Sequence, residues 1–246
     1  MDYNIKKFIF KMSYFKNKTI QHYLDTAKAV IFDMNGLLIN DEKLQLESVI
    51  YTLKKSGLKI KLSKKDWITK YVGRTDDYLF NDLFYKYNLQ PETDVIKKLI
   101  AHNHKFFFKL VTKNIKKITR KGIIDFIEYL SKNKYKIALA TSAGPEEVEI
   151  VLGTKGLNIK KYFKYTIDRT TVKHPKPNPE IYTKTIKKLH CRPEEILIFE
   201  DTALGIESGK KAGAIAIAIP TEFTKKQNFN QANLVVNNLT KNAKEL

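Results

Sequence analysis

The chain has 246 residues, 43% of them hydrophobic. That is enough apolar material for one large domain or a core plus a smaller unit, and it excludes global disorder. No apolar run approaches the roughly 20 residues of a membrane-spanning helix. The single cysteine, Cys191, cannot form an internal disulfide, so a reducing, cytoplasmic setting is expected. Lys and Arg number 45 against 26 Asp and Glu, a formal charge of +19. The lysines are dispersed and accompany no nucleic-acid motif. The field is therefore read as attracting small phosphorylated molecules, with neither nucleic acid nor a membrane as partner, and the chain is taken as a monomer.

Residues 1–27 read as an N-terminal helix or arm. Lys6, Lys7, Lys11, Lys16 and Lys18 make an organelle transit peptide the alternative. Against it, Arg is absent there and Asp2 and Asp25 are present, while Phe8-Ile9-Phe10 is too short for a secretory segment. Residues 28–32 form an apolar, β-branched strand that ends at Asp33. From 42 to 113 the pattern turns helical. Leu46, Val49, Ile50 and Leu53 share one helical face, and Leu79, Phe80 and Leu83 share another. A helical insertion just after the first strand makes a natural lid.

Beyond 113, strands at 135–140, 196–199, 214–219 and, more weakly, 234–236 alternate with helices at 123–131, 145–152, 179–189 and 203–212. Alternation of this kind predicts an α/β, Rossmann-like fold with a mostly parallel sheet covered on both faces and right-handed crossovers. The expected division is a discontinuous catalytic core, 28–41 and 114–246, with a helical cap at 42–113.

Four loops carry chemistry. Asp33 ends a buried strand, where open α/β sheets place their ligands, and an acid there serves as nucleophile, metal ligand or helix cap. Thr141 and Ser142 end the strand before Pro145, which opens a helix. Hydroxyls and backbone N–H groups at a helix N-terminus suit a phosphate, and also suit plain capping. Lys176 sits between Pro175 and Pro177, stiffened to meet negative charge, or is a surface lysine in a turn. Glu200 and Asp201 end a fully apolar strand side by side. A cation, with Mg²⁺ the usual one near phosphate, or solvent, has to answer them. Gly205 lets the next helix approach closely.

Four segments in this order, Phe-Asp-Met-Asn-Gly-Leu-Leu (32–38), Leu-Ala-Thr-Ser (139–142), Pro-Lys-Pro-Asn-Pro-Glu-Ile-Tyr (175–182) and Phe-Glu-Asp-Thr-Ala-Leu-Gly-Ile (199–206), resemble the haloacid dehalogenase superfamily of hydrolases. The closest likeness is to its branch with a helical cap after the first strand, which includes sugar-phosphate phosphatases, a pseudouridine monophosphatase and β-phosphoglucomutase. The resemblance spans about 28–236. It implies that Asp33 attacks phosphorus and becomes an aspartyl-phosphate. It implies Mg²⁺ between Asp33, the main-chain carbonyl of Asn35 and Asp201, with Glu200 nearby. Thr141 and the Ser142 N–H would hold the phosphoryl oxygens, and Lys176 would bind Asp33 and phosphate. Gly73 and Arg74 would belong to the cap's substrate loop.

Two positions depart from the family's pattern. Phosphatase members carry an aspartate where this chain has Asn35, and that acid protonates the leaving oxygen and later takes a proton from water. After the motif this chain reads Asn40-Asp41-Glu42, and Asn40 or Asp41 is read as a helix cap, with Asp41 as a relocated acid the alternative. The expected function is Mg²⁺-dependent hydrolysis of a small phosphomonoester, sugar- or nucleoside-phosphate-like. Asn35 stands among the catalytic positions in place of the usual general acid. The alternatives are a catalytically impaired phosphometabolite-binding homologue, a β-phosphoglucomutase-like enzyme and a dehalogenase.

Overall fold

The computed structural model describes residues 13–90 and 92–246. Of the lysines that raise the transit-peptide alternative, Lys6, Lys7 and Lys11 lie outside the described residues, as does the Phe8-Ile9-Phe10 run. From Tyr14 onward the N-terminal stretch is not a free arm. Helix α1 (Lys18–Thr26) starts where the Asn17 side chain accepts from the N–H groups of Thr19 and Ile20. Its Ile20 and Leu24, with Tyr14 and Phe15, are buried in the main core.

Six parallel strands, among the described residues, lie in the order β3-β2-β1-β4-β5-β6. They are β1 (Ala29–Phe32), β2 (Lys136–Ala140), β3 (Tyr165–Ile167), β4 (Ile196–Glu200), β5 (Ile215–Ala218) and β6 (Leu234–Val235). β1 and β4 are buried along their whole length, as expected of strands covered on both faces. Val30, Phe32, Leu197 and Phe199 point to one side, where they meet α1, α6 (Ile123–Lys132) and α7 (Pro145–Leu152). Ile31, Ile196 and Ile198 point to the other, against α8 (Glu180–Leu189), and α9 (Ala203–Lys211) covers β5 through Ile206. The expected strands and helices of this region appear within a residue or two of their bounds. β3 was not expected. It is three residues long at the sheet edge and too short to show a periodicity.

The chain runs from β1 to β2 and β3 on one side, and returns to β4, β5 and β6 on the other. The order therefore reverses at β1, and the crevice for ligands opens beyond its C-terminal end.

Between β1 and β2 the chain is helical: α2 (Glu42–Lys55), α3 (Lys64–Asp66) running into a π-helical turn (Trp67–Tyr71), α4 (Asp76–Lys86) and α5 (Thr93–Ile118). Val49, Leu53, Leu79, Phe80 and Leu83 bury together with Trp67 and Tyr71 in a second hydrophobic cluster. Ile50, expected on the same face as Val49 and Leu53, is 44% exposed; the buried stripe of α2 is narrower than the sequence suggests. The expected boundary at 113 falls inside α5. Ile96 and Leu99 at its start belong to the second cluster, whereas Phe107, Val111 and Ile115 belong to the main core. The outgoing and returning linkers pair side by side, with Asn40 N–H donating to Ile118 O at 2.6 Å and Arg120 N–H to Leu38 O at 3.0 Å. Arg120 also clamps the carbonyls of Gly36 and Ile219, at 2.6 and 2.7 Å. No helix among the described residues is long and apolar enough to cross a membrane.

Candidate active site

The loops at the C-terminal ends of β1, β2 and β4, with the loop before α8, converge over the reversal point. Asp33, Asn35, Thr141, Ser142, Lys176, Glu200 and Asp201 line one pocket there, and Gly73 and Arg74 of the helical insertion line its opposite wall. All nine residues singled out in the sequence come together.

The floor is a buried charge cluster. Lys176 Nζ, whose side chain is 8% exposed, donates to Asp33 Oδ1 at 2.7 Å and to Glu200 Oε1 at 2.6 Å. It is no surface lysine. Burial alone would lower its pKa, but the charges of Asp33 and Glu200 outweigh that and raise it, so the ammonium is retained. Glu200 is further bound by the Tyr182 hydroxyl at 2.6 Å and by the N–H groups of Asp201 and Thr202. A Cβ on Gly205 would fall onto the Glu200 carboxyl carbon. The glycine leaves space for that carboxylate.

Asp33, Glu200 and Asp201 each offer an oxygen within 4.8 Å of the others, all buried. Burial, opposed by Lys176 and assisted by Glu200, pushes Asp33 up to about 7. Burial, then the charges of Glu200, Glu42 and Asp33, raises Asp201. Among the described residues Asp201 Oδ1 has no hydrogen-bond partner, and a Cβ on Gly36 would collide with Oδ2. A crowded acid set with an orphaned buried oxygen fits a hard divalent cation with oxygen ligands.

Thr141 is buried, and its hydroxyl accepts from Ala143 N–H at 3.1 Å. Ser142 beside it is exposed to the pocket. Gly73, at φ +84°, brings the insertion against the core: a Cβ there would stand 3.2 Å from Thr202 Cγ2. Arg74 lies over the Tyr78 ring at 5.1 Å from its centroid.

The surroundings of Asn35 were not legible beforehand. Its Nδ2 donates to Asp41 Oδ2 at 2.7 Å and to Glu147 Oε1 at 2.6 Å. Asp41 occupies the N-cap position of α2 but makes no capping bond, so the helix-cap reading of its side chain is corrected. It accepts from Asn35, Gly36 N–H and Gln45 instead. Burial raises Asp41, and pushes Glu147 up to about 7. Only a double donor bridges two carboxylates in this way, and an amide is one. Glu147 is one of two acids in the first turn of α7, the usual place for them, and no signal in the sequence marks it. His104, 2.7 Å from Asp76 Oδ2, and Arg169 complete the pocket and were also missed.

The profile of the haloacid dehalogenase-like hydrolase family matches residues 30–219. The chain is a haloacid dehalogenase-like hydrolase. A relative in Thermotoga maritima, "Phosphorylated carbohydrates phosphatase", is 29% identical over 186 residues, 76% of this chain and 82% of the relative. "Pyrophosphatase PpaX" of Bacillus mycoides is 26% identical over 190 residues, 77% of this hydrolase and 82% of that protein. Among solved structures, CbbY from Rhodobacter sphaeroides in complex with xylulose-(1,5)bisphosphate superposes with a TM-score of 0.80 at 21% identity, covering 87% of this chain and 96% of that one. Family and relatives make this hydrolase an enzyme of the phosphatase type.

Proposed function

We propose that this hydrolase cleaves a small phosphomonoester, sugar-phosphate-like, with Asp33 as nucleophile. The reading rests above all on one observation: Asp33 shares Lys176 with Glu200 at hydrogen-bond distance and lies within 4.8 Å of Asp201, at the sheet's reversal point. The name of the phosphatase relative supports the substrate class.

An Asp33 oxygen attacks phosphorus, the ester P–O bond breaks, and water then hydrolyses the aspartyl-phosphate. Lys176 orients Asp33 and neutralises charge on the phosphoryl oxygens. Thr141 and the N–H of Ser142 bind those oxygens, and Gly73 and Arg74 form the cap's face on the substrate. Asp33, the main-chain carbonyl of Asn35 and Asp201 would hold Mg²⁺, with Glu200 beside it; the cation would offset the crowded negative charge as phosphate enters. Asn35 cannot protonate the leaving oxygen. General acid–base catalysis is worth roughly 10²–10⁴ in rate, so esters with good leaving groups are favoured.

The test is Mg²⁺-dependent turnover of p-nitrophenyl phosphate, absent in Asp33→Asn. A wild-type enzyme inert with Mg²⁺ on this ester refutes hydrolysis. The amide at Asn35 favours one second reading, a phosphometabolite-binding homologue. Tight phosphate binding without turnover distinguishes it.

A further inference from the structure

Arg169 has no part in the chemistry above. It opens a 3-10 turn after β3, and its N–H donates to Ala143 O at 3.0 Å, tying its loop to the hydroxyl loop of Thr141 and Ser142. Its guanidinium lies over Gly144, with Nη2 3.5 Å from where a Cβ would stand. It lines the same pocket as Asp33. Among the described residues it has neither a carboxylate within salt-bridge reach nor a hydrogen-bond acceptor for its side chain. The nearby acids are engaged elsewhere: Glu147 by Asn35 and Asp76 by His104. Arg74, which lines the same pocket, likewise has no carboxylate partner among the described residues and rests on the Tyr78 ring. The floor pairs its one lysine with two acids, while the walls present two guanidinium groups without a counter-ion. A guanidinium fork matches a carboxylate or a phosphate by two parallel N–H bonds.

Building on the phosphomonoester reading, we propose that the ligand carries a second anionic group, remote from the phosphoryl group, and that Arg169 binds it. Carboxylate and phosphate share this chemistry.

Titration calorimetry with phosphonates, which are not hydrolysed, tests it on the wild-type enzyme in Mg²⁺ buffer. The probes are propylphosphonate, 3-phosphonopropionate and propane-1,3-bisphosphonate. At least one of the doubly anionic probes binds at least about tenfold more tightly than propylphosphonate, as expected for a charge-assisted pair, and which one identifies the second group. Arg169→Met brings the preference to within about threefold, whereas Arg169→Lys keeps part of it. Equal affinities in the wild type, a preference that survives in Arg169→Met, or no binding of any probe overturns the assignment. A preference present in an enzyme that leaves p-nitrophenyl phosphate untouched upholds Arg169 and defeats hydrolysis. Turnover without the preference does the reverse.

Discussion

Replacing Asn35 by Asp looks like a restoration of the missing acid, yet the structure makes it a test of the bridge between Asp41 and Glu147. The amide gives up two N–H bonds, at 2.7 and 2.6 Å. Hydrogen bonds to charged acceptors are worth about 1.5–3 kcal/mol each. Three buried carboxylates then meet, and the cluster captures a proton, which restores one bond and loses the other. Asn35→Asp is therefore destabilised by about 2–3 kcal/mol, and its Tm falls by roughly 4–12 °C. The double variant Asn35→Asp/Glu147→Gln exchanges donor and acceptor and recovers at least about 1 kcal/mol of that loss as coupling. Activity follows the same logic. On alkyl phosphates the single variant gains less than the double, in which the Glu147→Gln amide fixes the new acid without competing for its proton, up to the roughly 10²–10⁴ of acid–base catalysis. Urea unfolding and turnover on the four proteins of the cycle settle it. An Asn35→Asp enzyme as stable as wild type, with zero coupling to Glu147, refutes the bridge.

Other outcomes follow from single contacts. Gly205→Ala forces its methyl into the Glu200 carboxylate and is expected to lose more than about 3 kcal/mol in urea melts, a lost buried ion pair. Gly57→Ala, which meets nothing within 4 Å but keeps φ +72°, is expected to lose only about 1–2 kcal/mol. Asp76 raises the pKa of His104, chiefly by its hydrogen bond. The pair's contribution is complete below the unfolded value near pH 6.5 and fades as pH rises through the higher folded value. Relative to Asp76→Asn, the wild type is thus more stable at pH 6 than at pH 9, by about 1 kcal/mol or less; an equal gap at both pH values counts against the pair. Asn35-Gly36 is a dipeptide prone to deamidation, but Gly36 N–H is bonded to Asp41 at 3.0 Å and the amide is pinned. Peptide mapping of aged native protein is expected to find Asn35 intact, while urea-unfolded protein converts.

Much of this was written in the sequence because strands buried on both faces and ended by a single polar residue leave a local trace. Asp33, Thr141, Glu200 and Asp201 each stop an apolar run, and Lys176 stands between prolines. β3 left no trace because three residues cannot show alternation. Asp41 was noticed but misassigned, since capping is the usual use of an acid at a helix start, and only the fold reveals that Asn35 lies in the way. Glu147, His104 and Arg169 sit on elements far apart in sequence, and their meeting is a property of the packing between the core and the insertion. Ile50 was misread because α2 buries a stripe narrower than its apolar content.

Helix α5 has a mechanical consequence. Its first turns belong to the insertion and its later turns are rooted under the sheet, so it acts as a strut between the two bodies. Swinging the insertion outward as a unit would draw Phe107, Val111 and Ile115 into water, at about 1.5–3 kcal/mol each. With Phe223 of the core also packed into the insertion's cluster and Lys64 paired to Glu222, the wall that carries Gly73 and Arg74 is braced against the floor that carries Asp33, and the pocket's width is set by the core's own packing.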